Sequence, residues 1–328
     1  MLVVVSWNVE NLFRPAEAPS GPTDQHAYEA KLVHLAETIA ASGAHVVGLQ
    51  EVGGEHALTD LLERLPGSGW TGELSAAPDG RGIAVAVVSR LPLSDRVDVV
   101  ELPAGLAGGR VTDAGGTLQR MGRGALGLTV TLSGGARVQV VCCHLKSKLL
   151  TFPGNRFDPR DEDERARYAV YALNRRAAEA GTVRTHVNQV LDGKGRERAL
   201  VVLGDLNDTP EAATTSLLLG PGGSEIGTPG ARRPDAGDGM RLWNLAPLIP
   251  EDERFSRVYR GRGELIDHAL VSRALLDRVV EVRTTLPDAA SSGTARLRLP
   301  SIADNPSARR DEPASDHAPI VVRLDLAV

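Results

Sequence analysis

Cysteine, aromatic side chains, long apolar runs and an excess of basic charge are all scarce in this chain, and each scarcity excludes something. Of 328 residues only Cys142 and Cys143 are cysteines. Neighbours on a strand point to opposite faces and do not bond to each other, so both read as packing residues. Without a disulfide framework the expected compartment is reducing, the cytoplasm. The apolar opening Met1, Leu2, Val3, Val4, Val5 lacks a basic segment and is too short for a signal peptide or a membrane span. A mature start at Met1 and no membrane partner are therefore expected. Aromatics make up 3% of the chain, too few for a broad stacking platform for single strands. Charge does not lean towards nucleic acid either: 37 basic and 42 acidic side chains give −5. Proteins held to nucleic acid mainly by a basic face lean the other way, although a local basic cleft is compatible with this balance.

What is present is a well-stocked core. Hydrophobic residues reach 42%, enough for a folded globular chain built on Val, Leu, Ile and Ala. Short, β-branched apolar runs at 2–6, 46–49, 83–88, 126–132, 138–143, 200–203, 265–271 and 320–324 predict strands. A helix is expected over 26–41, with Tyr28, Leu32, Leu35 and Ile39 on one stripe. A second is expected over 161–191, with an acidic first turn and Val183, Val187, Val190 and Leu191 on one face. A shorter helix should follow Pro210. Gly- and Pro-rich stretches at 103–117, 220–240 and 286–315 read as surface loops, and strands resume after each. The economical arrangement is α+β: two packed β-sheets with helices outside, in a single domain spanning 1–328.

The chemistry sits where these runs end. The first strand delivers Asn8 and Glu10, the second Glu51, the fifth His144, and the sixth Asp205 and Asn207. From the other direction, Asp267 lies near the start of a strand and Asp316 with His317 immediately precedes one. In a mixed sheet, C-terminal ends of some strands share an edge with N-terminal ends of others, so all six places can converge on one cleft. Hard cations such as Mg²⁺ prefer oxygen ligands. Glu51 is the first candidate ligand, with Asn8 and Asp316 beside it and Glu10 as a further possibility. His144 and His317 suit hydrogen bonding to a phosphoryl oxygen or protonation of a leaving group. Asp205 can orient and deprotonate water, Asn207 can hold water or phosphate, and Asp267 can pair with His317 and keep it charged. Each residue alone has a bland reading as a turn, a cap or a surface charge. Six such clusters at successive strand ends outweigh those readings.

Six motifs carry a family resemblance: Ser6, Trp7, Asn8, Val9; Leu49, Gln50, Glu51, Val52; His144, Leu145, Lys146; Gly204, Asp205, Leu206, Asn207; Ile266, Asp267, His268; and Ser315, Asp316, His317. In order, they resemble the successive motifs of the endonuclease/exonuclease/phosphatase superfamily, which takes in deoxyribonucleases, apurinic endonucleases, bacterial extracellular nucleases and inositol polyphosphate 5-phosphatases. The resemblance implies a four-layer αββα sandwich and Mg²⁺ or Mn²⁺ held by Glu51 with Asn8 and Asp316. It further implies Asp205 as base with Asn207 as its partner, and a phosphorane stabilised by His144 and by His317 backed by Asp267. His45 stands where family members often carry an acid, which reads as structural. His144 replaces the tyrosine of apurinic endonucleases, which disfavours abasic-site specificity.

Substrate is less constrained, because one such core serves many phosphoesters. Lys146 and Lys148 resemble nuclease members and are placed to meet a second phosphate. Arg81, Arg120, Arg123, Arg156 and Arg160 can add to a basic cleft, while Arg175 and Arg176 are expected to pair with neighbouring acids. The leading expectation is a phosphodiesterase acting on DNA or RNA. A phosphomonoesterase or small-molecule phosphodiesterase is the alternative, and a catalytically inactive interaction module is the least favoured. No obligate protein partner is evident.

Overall fold

The computed structural model describes every residue except 155, 232, 288–293, 296–298 and 304–305, so part of the expected 286–315 loop lies outside the described residues. The first sheet contains β1 (Leu2–Leu12), β2 (Val46–Val52), β3 (Thr71–Leu74), β4 (Ala84–Ser89), β13 (Val279–Arg283) and β17 (Ile320–Leu324), in the order β13-β17-β1-β2-β4-β3. The second contains β5 (Leu93–Glu101), β6 (Arg120–Thr131), β7 (Arg137–His144), β8 (Leu200–Asp205), β9 (Leu242–Asn244) and β12 (Asp267–Ser272), in the order β5-β6-β7-β8-β12-β9. A small sheet joins β10 (Arg257–Tyr259), β11 (Arg262–Glu264) and β16 (Ser301–Ile302). A two-residue ladder pairs β14 (Leu286–Pro287) with β15 (Thr294–Ala295).

Strand alternation sorts the apolar runs into layers. On β1, Val3, Val5, Trp7 and Val9 face outward with Tyr28, Leu32, Leu35 and Ile39 of α1 (Gln25–Ser42) and Leu58 and Leu61 of α2 (Glu55–Arg64). Leu2 and Val4 face inward, where they meet Leu126, Val140, Cys142 and Leu203 of the second sheet. On that sheet's far side, Cys143, Val141 and Val202 pack under Val183, Val187 and Leu191 of α3 (Glu162–Leu191) and Leu218 of α4 (Ala213–Leu219). The result is helix, sheet, sheet, helix, as the resemblance implied. Each sheet is covered on both faces, which explains the near-continuous apolar runs. The sheets approach closely at Gly48, where an added Cβ would sit 3.1 Å from Leu203 and 3.2 Å from the Cys142 sulfur. Cys142 and Cys143 lie on opposite faces, and both are free.

Most boundaries follow the apolar runs and then extend past them, because β1 and β2 continue into polar ends. Asp161 caps α3 by accepting a hydrogen bond from Glu164 N, and Asp24 caps α1 in the same way. Among the described residues, elements beyond the expectation include α2, β3, β5, β9, β10, β11 and β13, and β14, β15 and β16 fall within the stretch expected to be a loop. β5 reads LSDRVDVVE, an exposed edge strand with little apolar content to announce it. His45 accepts a hydrogen bond from Val3 N at 3.1 Å, a structural role as expected. Among the described residues no helix is long and apolar enough to cross a membrane.

Candidate active site

Strand register builds the floor of the site. Parallel pairing of β7 with β8 sets His144 beside Asp205, and antiparallel pairing of β12 with β8 sets Asp267 opposite the same residue. The Asp205 Oδ2 atom accepts a hydrogen bond from Asn8 Nδ2 at 3.0 Å and lies 3.4 Å from His144 Nε2. Its Oδ1 accepts from Asn207 N at 2.8 Å. Asn207 makes that turn with φ of 53° and ties its amide to Leu145 O at 3.0 Å. Burial, helped by the charge of Asp267, raises the Asp205 pKa to about 7. One strand away, His317 Nδ1 and Asp267 Oδ2 are 2.7 Å apart, and Ser256 Oγ donates to the same oxygen at 2.6 Å. Burial alone lowers His317, but Asp267 and Asp316 outweigh it and carry the imidazole up to about 10. Burial also drives His144 well below its usual value, so that ring stays neutral.

The other end of the floor comes from the first sheet, where the ladders break. Register slips between Asn8 and Leu12 on β1 and between Gln50 and Val52 on β2. Glu10, Asn11 and Glu51 take φ values of 50°, 54° and 67° there. With Asn207 they are four of the eight non-glycine residues of positive φ among the described residues, so backbone strain concentrates at this site. Glu51 Oε2 accepts from Asn11 N at 2.9 Å. Asn8 Oδ1 accepts from Glu10 N at 3.0 Å. Both Glu10 oxygens are engaged: Arg309 donates to each, at 3.0 and 3.2 Å, and Asp316 N donates to one at 2.9 Å. Burial, followed by the charge of Asp316, pushes Glu10 up to about 7. Behind them lies Lys31, buried and lowered by that burial against the pull of Glu10, Asp316 and Glu51.

Two places could attract a cation. Ligand atoms of Asp205, Asp267 and His317 lie within 4.8 Å of one another. There, however, the His317 Nδ1 is committed to Asp267 and the ring is protonated, which repels a metal ion. Around Glu51 and Asp316 the donors are oxygens, and the buried Asn11 Oδ1 has no hydrogen-bond partner among the described residues. That donor set fits a hard divalent cation.

Asn8, Glu10, Glu51, His144, Asp205, Asn207, Asp316 and His317, all singled out in the sequence, line one cleft of about 730 Å³, and Asp267 lies directly beneath His317. Lys148 reaches its rim, 3.2 Å from Asp208. Lys146 does not reach it, which corrects the expectation that it meets a phosphate. The strand ends at His144 and the chain turns towards α3, so Lys146 N donates to Glu179 while its ammonium is buried against Ser147 and Leu149 carbonyls. Of the five arginines expected to enrich the cleft, Arg81 and Arg123 line it, both on Asp79. Arg156 instead braces Glu164, and Arg120 and Arg160 do not line the cleft. Arg175 and Arg176 pair with Glu179 and Asp208 as expected. Sequence reasoning missed Asn11, Arg257 and Arg309; only Asn11, next to Glu10, carried a signal.

An αββα sandwich that brings carboxylates, amides and a paired imidazole from both sheets into one cleft defines a phosphoester hydrolase. The chain belongs to the endonuclease/exonuclease/phosphatase family, whose model matches residues 5–317 and whose enzymes use divalent metal ions. Three solved structures share the fold. The catalytic domain of human Nocturnin with bound sulfate is 16% identical, with TM-score 0.56, over 98% of this chain and 93% of that one. A mannosyl-6-phosphatase from Bacteroides thetaiotaomicron is 15% identical, with TM-score 0.56, over 99% and 100%. A 3′ phosphatase from Neisseria bound to a product DNA hairpin is 19% identical, with TM-score 0.52, over 99% and 100%. None of the curated proteins is similar enough in sequence to match this chain.

Proposed function

We propose that the chain is a divalent-metal-dependent phosphodiesterase in which water attacks phosphorus directly, with no covalent enzyme intermediate. The observation that carries this reading is a buried Asp205 set within 4.8 Å of the Asp267–His317 pair at the floor of an open cleft. Glu51, Asp316 and Asn8 would hold Mg²⁺ or Mn²⁺, and the unpartnered Asn11 Oδ1 is a further oxygen donor. When bound, the cation supplies charge neutralisation to the phosphoryl oxygens. Asp205 takes the proton of the attacking water, and its raised proton affinity suits a base working near neutral pH. Asn207 uses its remaining amide hydrogen to orient that water or a phosphoryl oxygen. His317, kept protonated by Asp267, gives its Nε2–H to the charge that grows on the phosphoryl group. The neutral His144 donates a hydrogen bond instead of a proton. Glu10 is a positioning residue: its oxygens are taken by Arg309 and by the backbone of Asp316.

Nucleic acid is the leading substrate, because the cleft far exceeds one phosphate group and Arg81, Arg123 and Lys148 stand on its walls. A small phosphorylated molecule is the second reading. It is favoured by a lining with six basic and six carboxylate side chains, balanced where a strand-binding groove is strongly positive. The unpaired, buried cysteines are compatible with a reducing cytoplasm.

The test is hydrolysis of plasmid DNA, single-stranded RNA, bis(p-nitrophenyl) phosphate and p-nitrophenyl phosphate with Mg²⁺, Mn²⁺ or EDTA, by wild type and Asp205→Ala. Metal-dependent cutting of a nucleic acid, lost in Asp205→Ala, is expected. Cleavage of the small diester alone moves the substrate to the second reading. Turnover that survives EDTA or Asp205→Ala contradicts the mechanism.

A further inference from the structure

Six lysine and arginine side chains line the cleft, and five of them have an acidic partner. Arg81 and Arg123 share Asp79, Lys148 pairs with Asp208, Arg165 with Glu162 and Arg309 with Glu10. Arg257 on β10 makes no ion pair with a carboxylate among the described residues, although Glu264 stands opposite it on β11, and its Nε is buried with no hydrogen-bond partner. A buried guanidinium donor left unmatched is costly unless something outside the chain accepts from it.

Its surroundings say what that acceptor is. Arg257 forms an antiparallel bridge with His317, so the two side chains leave the backbone on the same face. Tyr259, two residues on, shares that face. All three line the cleft. The guanidinium carbon lies 5.3 Å from the centre of the Tyr259 ring. Arg260 brings a second guanidinium to 5.4 Å from the same ring. Arg257 therefore brings a guanidinium into the cleft on the face it shares with the imidazole that faces the scissile phosphoryl group. Guanidinium donors in that geometry take phosphate oxygens well, and the tyrosine ring fixes their position.

We propose that Arg257, braced on Tyr259, binds a second phosphate of the substrate, next to the one that is cleaved. This deepens the function proposed above and rests on its placement of the scissile phosphate against His317. It makes the preferred substrate an ester with at least two phosphates, whether successive phosphates of a nucleic-acid strand or those of a small pyrophosphate compound. Simple monoesters are then poor substrates.

The test compares the thymidine dinucleotides TpT, pTpT and TpTp for kcat/KM, with wild type, Arg257→Gln and Arg257→Lys. A P¹,P²-dithymidine pyrophosphate serves as the small-molecule arm. Wild type is expected to prefer one of the substrates with a second phosphate over TpT by about tenfold or more, the scale of a charge-assisted hydrogen bond. Arg257→Gln should collapse that ratio towards one, and Arg257→Lys should keep part of it. A preference confined to the pyrophosphate would assign the subsite to small molecules; one confined to pTpT or TpTp would assign it to strands. A wild-type ratio near one, an unchanged ratio in Arg257→Gln, or an equal loss on every substrate overturns the proposal. Binding of the same ligands in EDTA, by competition against a fluorescent oligonucleotide, reads the subsite without turnover. If no ester is cleaved but Arg257→Gln abolishes the binding preference, the hydrolytic reading fails and the subsite stands.

Discussion

On the second sheet, Asp205, His144 and Asp267 occupy matching rungs of unbroken ladders and are almost wholly buried. On the first sheet, Glu10, Asn11 and Glu51 stand where both ladders slip, in left-handed backbone and in partial contact with solvent. The two ends of one cleft floor are thus held by different means. Regular pairing and a packed core fix the first, so its geometry exists before any ligand arrives. Local strain, on the order of 1 kcal/mol for each left-handed residue, is stored at the second. There the gathered carboxylates of Glu10, Glu51 and Asp316 face Arg309, the buried Lys31 and, at Asp316, the imidazole of His317 as balancing cations. The difference suits a division of labour in which one end handles protons and the other holds a metal ion.

Substitutions can break this comparison at either end. The largest effect is expected for Asp205→Asn: a fall in kcat of about 10³- to 10⁴-fold that added Mg²⁺ does not repair, measured with the fold verified by circular dichroism. Glu51→Gln should cost about 10²- to 10³-fold at low metal and recover in part as Mn²⁺ is raised, read from metal-titration curves. If both variants respond alike to metal, the two ends are not distinct.

Asp267→Asn sharpens the same contrast through pH. In the wild type, Asp205 becomes an effective base as pH rises towards about 7. His317 loses its proton near pH 10, which ends activity on the alkaline side. With Asp267 neutralised, burial governs His317 and the alkaline limb should move down by more than one pH unit, with kcat about 10- to 100-fold lower. An alkaline limb that stays in place removes the Asp267–His317 pair from the mechanism. The same shift has a stability sign. Because the folded-state value is raised from 6.5 to about 10, its contribution is complete below 6.5 and is lost as pH climbs to 10.

The smallest effect on rate is expected between the sheets. Leu203→Ala removes a buried side chain that touches the Gly48 approach and should cost about 3 kcal/mol in urea unfolding. Its kcat should change by less than about threefold if the base end is fixed by ladder register rather than by that contact.

How much of this was legible in the sequence follows from the same physics. Buried strands must be apolar throughout, so β1, β2, β7, β8, β12 and β17 announced themselves, and the polar residues at their ends stood out against them. β5 and α2 did not, because an exposed edge strand and a helix that buries only Ala57, Leu58 and Leu61 carry weak patterns. Lys146 was expected at a phosphate from its resemblance to nuclease members, and no sequence pattern announced that the chain turns towards Glu179 once the strand ends at His144. Arg257 was invisible: its meaning depends on a single bridge to His317, 60 residues away in sequence.

Metal affinity tests the division of labour most directly, since Asp205, Asp267 and His317 form a rival site within 4.8 Å of one another. Mn²⁺ binding to wild type, Glu51→Gln and Asp205→Asn can be measured by calorimetry without any substrate. The account predicts that Glu51→Gln weakens Mn²⁺ binding about tenfold or more, while Asp205→Asn binds it nearly as wild type does. Loss of Mn²⁺ binding in Asp205→Asn with Glu51→Gln unaffected would put the metal at the rival site and contradict the account.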